Sequence, residues 1–187
     1  MIISRIVFIL AFNPSLTGPT APLDAYSASD VIADVHARIE ASAIPATGGN
    51  VETFSGQVLE EEREGACGRL RVEGRPLGVE LWAASAPGAL GLGSDATVIY
   101  YGDHPQAQEA AETVAAAISE IDVGVRLWDV RVEHDPTLPS DCRYIRVGLG
   151  NLRGVLGSVA MATEIWRNFI ALQIMDGVLA AVTTIEE

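Results

Sequence analysis

The sequence predicts an α+β fold, a two-layer sandwich in which helices pack on one face of a mostly antiparallel sheet. Two observations favour this class. Runs in which apolar and polar residues alternate, typical of half-buried strands, occupy the middle of the chain. Runs whose apolar residues recur every three or four positions, typical of amphipathic helices, lie before and after them. Because 49% of the 187 residues are hydrophobic and 20% are charged, one folded core is expected.

The chain divides into an N-terminal segment and one domain. Residues 1–26 are expected to form a signal peptide or an extended arm, and residues 27–187 a single α+β domain. A helix is predicted from about Ser29 to Ala43, because Ser27 and Asp30 form a capping pattern ahead of helically spaced apolar residues.

The middle of the chain contains three alternating runs, FSGQVLE, RLRVEG and LGVELWA, which predict antiparallel strands. The charged run from Glu60 to Gly65 is expected to be a solvated strand end or turn. Further on, a strand over Thr97 to Tyr101 leads into a helix that begins near Pro105. The apolar face of this helix is mostly alanine, which predicts close packing against the sheet.

Two more strands and a last helix complete the predicted domain. The run VGVRLWDVRVE needs a bulge near Trp128 and Asp129 to keep its apolar residues on one face, and YIRVGLG predicts another core strand. The last helix is expected over Ser158 to Ala180. It is apolar around most of its circumference, which indicates burial on several sides or use in assembly.

The N-terminus has two interpretations. Arg5, the apolar run from Ile6 to Phe12 and the small residues near Ala21 have the layout of a secretory signal. The same apolar run suits a buried first strand. We therefore expect either an exported protein or one that is cytoplasmic or particle-associated. No run reaches the roughly 20 apolar residues that span a bilayer, so no transmembrane helix is predicted.

The chain has two cysteines, Cys67 and Cys142, each just ahead of a similar strand-like run, CGRLRV and CRYIRV. An even pair fits one disulfide in an exported protein, whereas both would be free thiols in the cytosol. We expect the two to be bridged.

Acidic residues outnumber basic ones 25 to 12, and the net charge of −13 argues against nucleic-acid binding. All the basic residues other than histidine are arginine. Four of them occur in the runs RLRV and CRYIRV and would form a basic patch if these runs were neighbouring strands: Arg69, Arg71, Arg143 and Arg146. Such a patch would bind phosphate or carboxylate groups, for example of an anionic glycan, unless acidic residues neutralise it.

Two His–Asp pairs are the candidates for catalysis. Asp103 and His104 follow a strand and precede a helix, where a carboxylate could orient an imidazole as a general base. The alternative is that one of them caps the helix ahead of Pro105. The second pair, His134 and Asp135, is expected in a turn ahead of Pro136.

No metal site and no cofactor is predicted. Glu133, His36 and the two His–Asp pairs do not follow a compact zinc-ligand spacing. The run GLGNLRG (Gly148 to Gly154) resembles a loosened dinucleotide fingerprint, but too few residues follow for a nucleotide domain, so a tight turn is expected. The run GLGSD does not match a nucleophile elbow, and the chain contains no lysine for a P-loop or Schiff base.

The runs TVIYYGDHPQAQEAAETVAAAI and YIRVGLGN resemble the second half of the C-terminal domain of LytR/CpsA/Psr-type envelope proteins. That half has a strand with Thr, Ile and Tyr, a helix in which an Ala-Ala pair follows a Gln, and a closing strand that ends in V-x-L-G-[DN]. The matching residues are Thr97, Ile99, Tyr100, Gln108, Ala110, Ala111, Val114, Ala115, Val147, Leu149, Gly150 and Asn151. The resemblance covers about a quarter of the chain and implies an extracytoplasmic accessory domain that contacts cell-wall glycans and has no catalytic residues to transfer.

These observations predict a non-enzymatic, exported binding or assembly domain at the cell envelope. Two alternatives stay open. One is a structural subunit or an acidic inhibitor of a basic protein, which would bind its partner or a second copy through an apolar cluster on the last helix: Trp166, Phe169, Ile170 and Leu172. The other is a small hydrolase that uses Asp103 and His104, or His134 and Asp135.

Overall fold

The computed structural model describes residues 6–11, 37, 50–54, 60–72, 74, 77–83, 94–120, 128–149 and 164–186. Its elements follow the order β1 (Ile6–Ala11), β2 (Asn50–Phe54), α1 (Glu60–Val72), β3 (Leu77–Ala83), β4 (Ser94–Tyr101), α2 (Pro105–Ser119), β5 (Trp128–Asp135), β6 (Tyr144–Leu149) and α3 (Glu164–Glu186). The helix predicted from Ser29 to Ala43 lies outside the described residues apart from Ala37, which is helical.

The described strands form one six-stranded sheet in the order β2-β1-β3-β6-β4-β5. The combination of helices and a sheet confirms the predicted α+β class. The sheet is mixed, however, and only partly antiparallel. Strands β2, β1, β3 and β6 run parallel to one another, β4 and β5 run parallel to each other, and the antiparallel pairing is between β4 and β6. Alternation marks a strand without giving its direction, and a helical connection such as α1 returns the chain parallel.

Helices lie on both faces of the sheet, whereas the sequence predicted them on one face. Leu77, Val79 and Leu81 of β3 lie in the same buried cluster as residues of α2 and α3. Side chains of neighbouring strand residues point to opposite faces. A Cβ added at Gly78, which lies between Leu77 and Val79, would accordingly be 2.9 Å from Cδ1 of Leu70 on α1. Helix α1 thus forms a third layer on the other face.

Helix α1 replaces a predicted strand and a predicted turn. The charged run from Glu60 forms its first turns, where acidic side chains suit the helix N-terminus. The run RLRV forms its last turn, with arginines at the C-terminal end. Leu70 is buried, whereas Val72 is 87% exposed. A strand with one buried face would have buried both Leu70 and Val72, so the predicted strand is not present here.

The strand and helix predicted around residues 97–119 are confirmed as β4 and α2. The alanine face of α2 packs closely, as predicted, and its partner includes α3 as well as the sheet. A Cβ added at Gly177 of α3 would lie 2.8 Å from the Cβ of Ala117. In β5 the register with β4 is continuous from Trp128 to Asp135, so this segment contains no bulge.

Much of helix α3 is buried in the hydrophobic core that α2 and one face of the sheet also form. By length and composition, Asn168–Ile185 could cross a membrane, but residues along it are buried in the cluster shared with α2 and the sheet: Ile170, Ile174, Val178 and Val182. Of the predicted interface residues, Ile170 is fully buried inside the chain, Phe169 packs against this core and Leu172 is half-buried. The side chain of Trp166 lies outside the described part. Self-assembly or partner binding through α3 stays a prediction. Ile170 is not part of that predicted interface, because its side chain is buried inside the chain.

The N-terminal apolar run forms β1, which lies between β2 and β3 in the sheet. This is the strand interpretation of the segment. Removal of Ile6–Ala11 as part of a signal peptide would take an inner strand out of the sheet.

The predicted disulfide is confirmed. Cys67 of α1 and Cys142, two residues before β6, are bonded to each other, with their Cα atoms 5.4 Å apart. Both side chains are buried, in a cluster with Leu70, Leu138 and Tyr144. The bond attaches α1 to the sheet at the edge where β6 begins.

Candidate functional site

The carboxyl ends of β4 and β5 meet at one edge of the sheet. Tyr101 at the end of β4 pairs with Tyr144 at the start of β6, so this is the edge where β3 and β6 begin. Strand ends of this kind are where α/β folds bind ligands. Strands β1, β2, β3 and β6 end at the opposite edge. Residues 84–93 and 150–163, which follow β3 and β6, contain no His, Cys, Asp or Glu, and the residues directly after β1 and β2 lie outside the described part. The acid–base candidates that the structure describes at the ends of strands are those that follow β4 and end β5.

Gly102 forms the turn that brings these strand ends together. Its φ of +68° is in the left-handed region that favours glycine, and an added Cβ would lie 2.7 Å from the Pro139 carbonyl oxygen. Its N–H donates to the Asp135 carbonyl at 2.9 Å. The glycine thus attaches the end of β4 to the end of β5.

His134 and Asp103 form a pair across this turn. The His134 Nε2 lies 3.3 Å from Asp103 Oδ1 and 2.9 Å from the Gly102 carbonyl oxygen. Since both neighbours are acceptors, we assign the ring hydrogen to Nε2. Tyr100 stacks on the imidazole with 4.8 Å between ring centroids. The Nδ1 atom makes no hydrogen bond to the described residues, and the side chain is 36% exposed. A fixed, solvent-accessible imidazole with a free acceptor nitrogen can act as a general base.

His104 has a different role from the one predicted for the Asp103–His104 pair. Its Nδ1 accepts a hydrogen bond from the Gln106 N–H at 3.2 Å, so it caps α2, which was the alternative interpretation. The partner of Asp103 is His134 instead. Asp135 likewise stabilises a turn, because its Oδ1 accepts from the Thr137 N–H at 3.0 Å.

The cap makes stability depend on the protonation of His104. Burial, and then the charge of Arg143, lower the pKa of His104 below its ordinary value, against the opposite effect of Asp141. A pKa that is lower in the folded state stabilises the fold above about pH 6.5, and this contribution is lost as the pH falls through the folded value. Protonated Nδ1 also cannot accept the Gln106 hydrogen bond.

We predict that the free energy of unfolding of the wild type falls between pH 7 and pH 5 by more than that of His104→Asn. Asparagine caps a helix without titrating. Urea unfolding at several pH values measures the difference. At pH 7 His104→Ala should cost about 1 kcal/mol. Parallel curves for the wild type and His104→Asn would contradict the cap.

The four arginines predicted as a ligand patch do not lie on neighbouring strands, because two of them are on α1. Arg71 pairs with Asp141 at 3.1 Å, and both are half-exposed. Arg146 lies on β6 close to Glu80, with 3.3 Å between Nε and Oε1. Arg69 is near the C-terminal end of α1. Arg143 lies just before β6, at the edge of the sheet that carries His134 and Asp103, and its Nη1 donates to the neutral Gln106 amide.

The sequence did not predict a buried cluster of charge under α1. Glu80 of β3 is fully buried and accepts two hydrogen bonds from Arg63, with Nε–Oε2 at 2.8 Å and Nη2–Oε1 at 3.1 Å. The Tyr144 hydroxyl donates to the same carboxylate at 3.2 Å. Burial and the Glu80 charge raise the pKa of Tyr144 well above its usual range. The signal in the sequence was Glu80 itself, a lone charge in the run LGVELWA.

No group of three or more His, Cys, Asp or Glu residues that could hold a metal ion occurs within the described ranges. Asp103 and His134 supply two donor atoms, whereas catalytic zinc sites use three protein ligands. The donor set at this edge of the sheet therefore does not fit a catalytic zinc ion.

Solved structures of N-acetylmuramoyl-L-alanine amidases match almost the whole chain. The enzyme from Clostridium difficile 630 has a TM-score of 0.64 and 14% identity, and the match covers 97% of this chain and 98% of that one. Ami1 from Mycobacterium smegmatis has a TM-score of 0.62, 16% identity and coverages of 98% and 100%. The CwlD amidase from Clostridioides difficile, solved with the GerS lipoprotein, has a TM-score of 0.62, 11% identity and coverages of 97% and 100%.

This chain has the fold of these amidases. At 11–16% identity the likeness shows the fold alone. No protein-family model matches the sequence, and no curated protein matches it. The resemblance to LytR/CpsA/Psr-type proteins stays a prediction.

The amidase fold overturns the expectation of a non-enzymatic binding or assembly domain. The structures that share the fold over nearly the full chain are named as enzymes that cleave an amide bond. The pair formed by His134 and Asp103 is not a contiguous sequence motif and was not predicted. These residues come from different strand ends and adjoin only in the folded chain.

Proposed function

We propose that this chain is a hydrolase that cleaves an amide bond in a cell-wall peptide, of the N-acetylmuramoyl-L-alanine type named for its structural neighbours. The amidase fold supports the substrate class. The observation that carries the proposal is the His134–Asp103 pair, with Nε2 held by two acceptors in a side chain that is 36% exposed.

In the proposed reaction, His134 Nδ1 removes a proton from a water molecule. The water oxygen forms a bond to the amide carbonyl carbon, and a tetrahedral intermediate results. The carbon–nitrogen bond then breaks as Nδ1–H returns the proton to the leaving nitrogen. The products are a carboxylic acid and an amine, and His134 is regenerated.

Asp103 and Tyr100 support this base in different ways. The Asp103 carboxylate, 3.3 Å from Nε2, stabilises the imidazolium that forms when Nδ1 takes the proton. The Gly102 carbonyl holds Nε2–H at 2.9 Å and so keeps Nδ1 in its acceptor form. The stacked Tyr100 ring orients the imidazole.

We also propose that the protein is exported. A disulfide and a cell-wall substrate both belong to an oxidising, extracytoplasmic compartment. Because residues 6–11 form an inner strand, the exported form would have to retain β1.

The test is hydrolysis of purified peptidoglycan, followed through the new amino group of L-alanine by amine labelling and mass spectrometry. We expect wild-type protein to release stem peptides. His134→Ala should lower the rate about 10²- to 10⁴-fold, the usual contribution of a general base. Asp103→Asn should lower it less, because the amide can still accept from Nε2–H without stabilising the imidazolium.

His104→Asn is the matched control, since it replaces the neighbouring histidine and keeps the cap. It should retain the wild-type rate. The proposal fails if wild-type protein releases no L-alanine amine, or if folded His134→Ala cleaves as fast as the wild type.

A further inference from the structure

Arg143 lies at the same edge of the sheet as His134 and Asp103, directly before β6. Its side chain is half-buried, and its Nη1 donates to Gln106 Oε1 at 3.2 Å. Gln106 is held in turn, because its Nε2 donates to the Ile185 carbonyl at 3.3 Å. The guanidinium is thus oriented by a neutral amide that α3 keeps in place.

The backbone of Arg143 is fixed as well. Its carbonyl oxygen accepts from the Gly78 N–H at 2.9 Å, which continues the pairing of β3 with β6. The preceding residue, Cys142, is bonded to Cys67. Arg143 is therefore rigidly placed from both the main chain and the side chain.

The charge of Arg143 has no carboxylate partner among the described residues. Asp141 is close in sequence, but its carboxylate pairs with Arg71 at 3.1 Å. Glu80 pairs with Arg63 and Arg146. On a chain with a net charge of −13, a fixed and partly buried cation without an acidic partner is a ready site for an anionic group.

We infer that Arg143 binds a free carboxylate of the substrate, so that this chain acts on acidic peptides. This inference rests on the proposed function and names its substrate class. A guanidinium donates two parallel hydrogen bonds to a carboxylate, and four of its five N–H groups are not used by Gln106. Arg143 also affects His104, the neighbour of Asp103. Burial and the charge of Arg143 lower the pKa of His104. A carboxylate bound there would place the peptide against the catalytic edge.

The test compares two synthetic substrates, N-acetylmuramoyl-L-alanyl-glutamate and the same compound with both glutamate carboxyls converted to amides. We expect the wild-type KM for the acid to be about ten- to hundredfold lower than for the diamide, from one charge-assisted bidentate contact. Arg143→Gln should remove this preference with kcat unchanged. Arg143→Lys should retain part of it, because a lysine keeps the charge without the planar pair of donors.

Arg131→Gln is the matched control, since it removes the same charge from an exposed position on β5 and should keep the preference. A wild type without preference, or a preference that survives Arg143→Gln, overturns the inference while the proposed function stands. If the wild type cleaves neither compound and also releases no L-alanine amine from peptidoglycan, the proposed function fails. If it cleaves peptidoglycan alone, the proposed function stands. Calorimetric binding of the two intact compounds then decides the inference separately. Tighter binding of the acid that Arg143→Gln abolishes supports it, and equal binding of both overturns it.

Discussion

Glu80→Gln is expected to lower the free energy of unfolding by about 3–5 kcal/mol, the usual effect of breaking a buried ion pair from one side. Glutamine keeps the shape of the side chain and removes its charge. Arg63 of α1 and Arg146 of β6 would then remain as largely buried cations that have lost their shared carboxylate. The Tyr144 hydroxyl would lose a charged acceptor as well.

Guanidinium unfolding followed by far-UV circular dichroism measures this change. Asp141→Asn is the control, because it breaks an ion pair with Arg71 that is half-exposed, and it should cost less than about 1 kcal/mol. Adding Arg63→Gln to Glu80→Gln should cost less than the sum of the two single changes, since one unpaired charge is removed. A Glu80→Gln variant within 1 kcal/mol of the wild type would contradict a structural role for the cluster.

The second large effect concerns the disulfide. Cys67→Ala combined with Cys142→Ala should lower the free energy of unfolding by about 4 kcal/mol. The bond closes a loop between residues 75 positions apart, and its loss restores chain entropy to the unfolded state. The same denaturation experiment, without reductant, measures it.

Reduction provides the control for the disulfide. In excess dithiothreitol the wild type and the double-alanine variant should unfold at nearly the same denaturant concentration, because the cross-link is then absent from both. A wild type whose stability does not change on reduction would show that the bond contributes little. A double variant that stays less stable than reduced wild type would assign the loss to the packing of the two buried side chains.

Local patterns were enough to place several elements. The Pro105 signal and the helical spacing of alanines predicted α2, and alternation predicted β3 and β6. The strand predicted over Thr97 to Tyr101 is the larger part of β4. The same reasoning failed at residues 69–72. Over four residues a strand and the end of a helix cannot be told apart when Leu70 and Val72 are the only apolar residues.

Burial of Glu80 could not be predicted for a related reason. Its neighbours Val79 and Leu81 face the α2–α3 side, so alternation puts Glu80 on the opposite face, which a two-layer fold leaves in water. The structure covers that face with α1 and supplies Arg63 to neutralise the carboxylate. Whether a strand face is solvent or core depends on a helix elsewhere in the sequence.

The candidate site divides in the same way. The sequence by itself determined that Asp103 and His104 follow a strand, that His134 and Asp135 are a second His–Asp pair near the end of another, and that Cys67 and Cys142 could pair. Only the tertiary structure decided that Asp103 pairs with His134 while His104 caps α2. The physical reason is register: β4 and β5 run parallel with Tyr100 opposite His134, and the Gly102 turn brings Asp103 back to that ring. Short-range periodicity reports how a segment folds, whereas the contacts between segments depend on strand order and on the helices that cover each face.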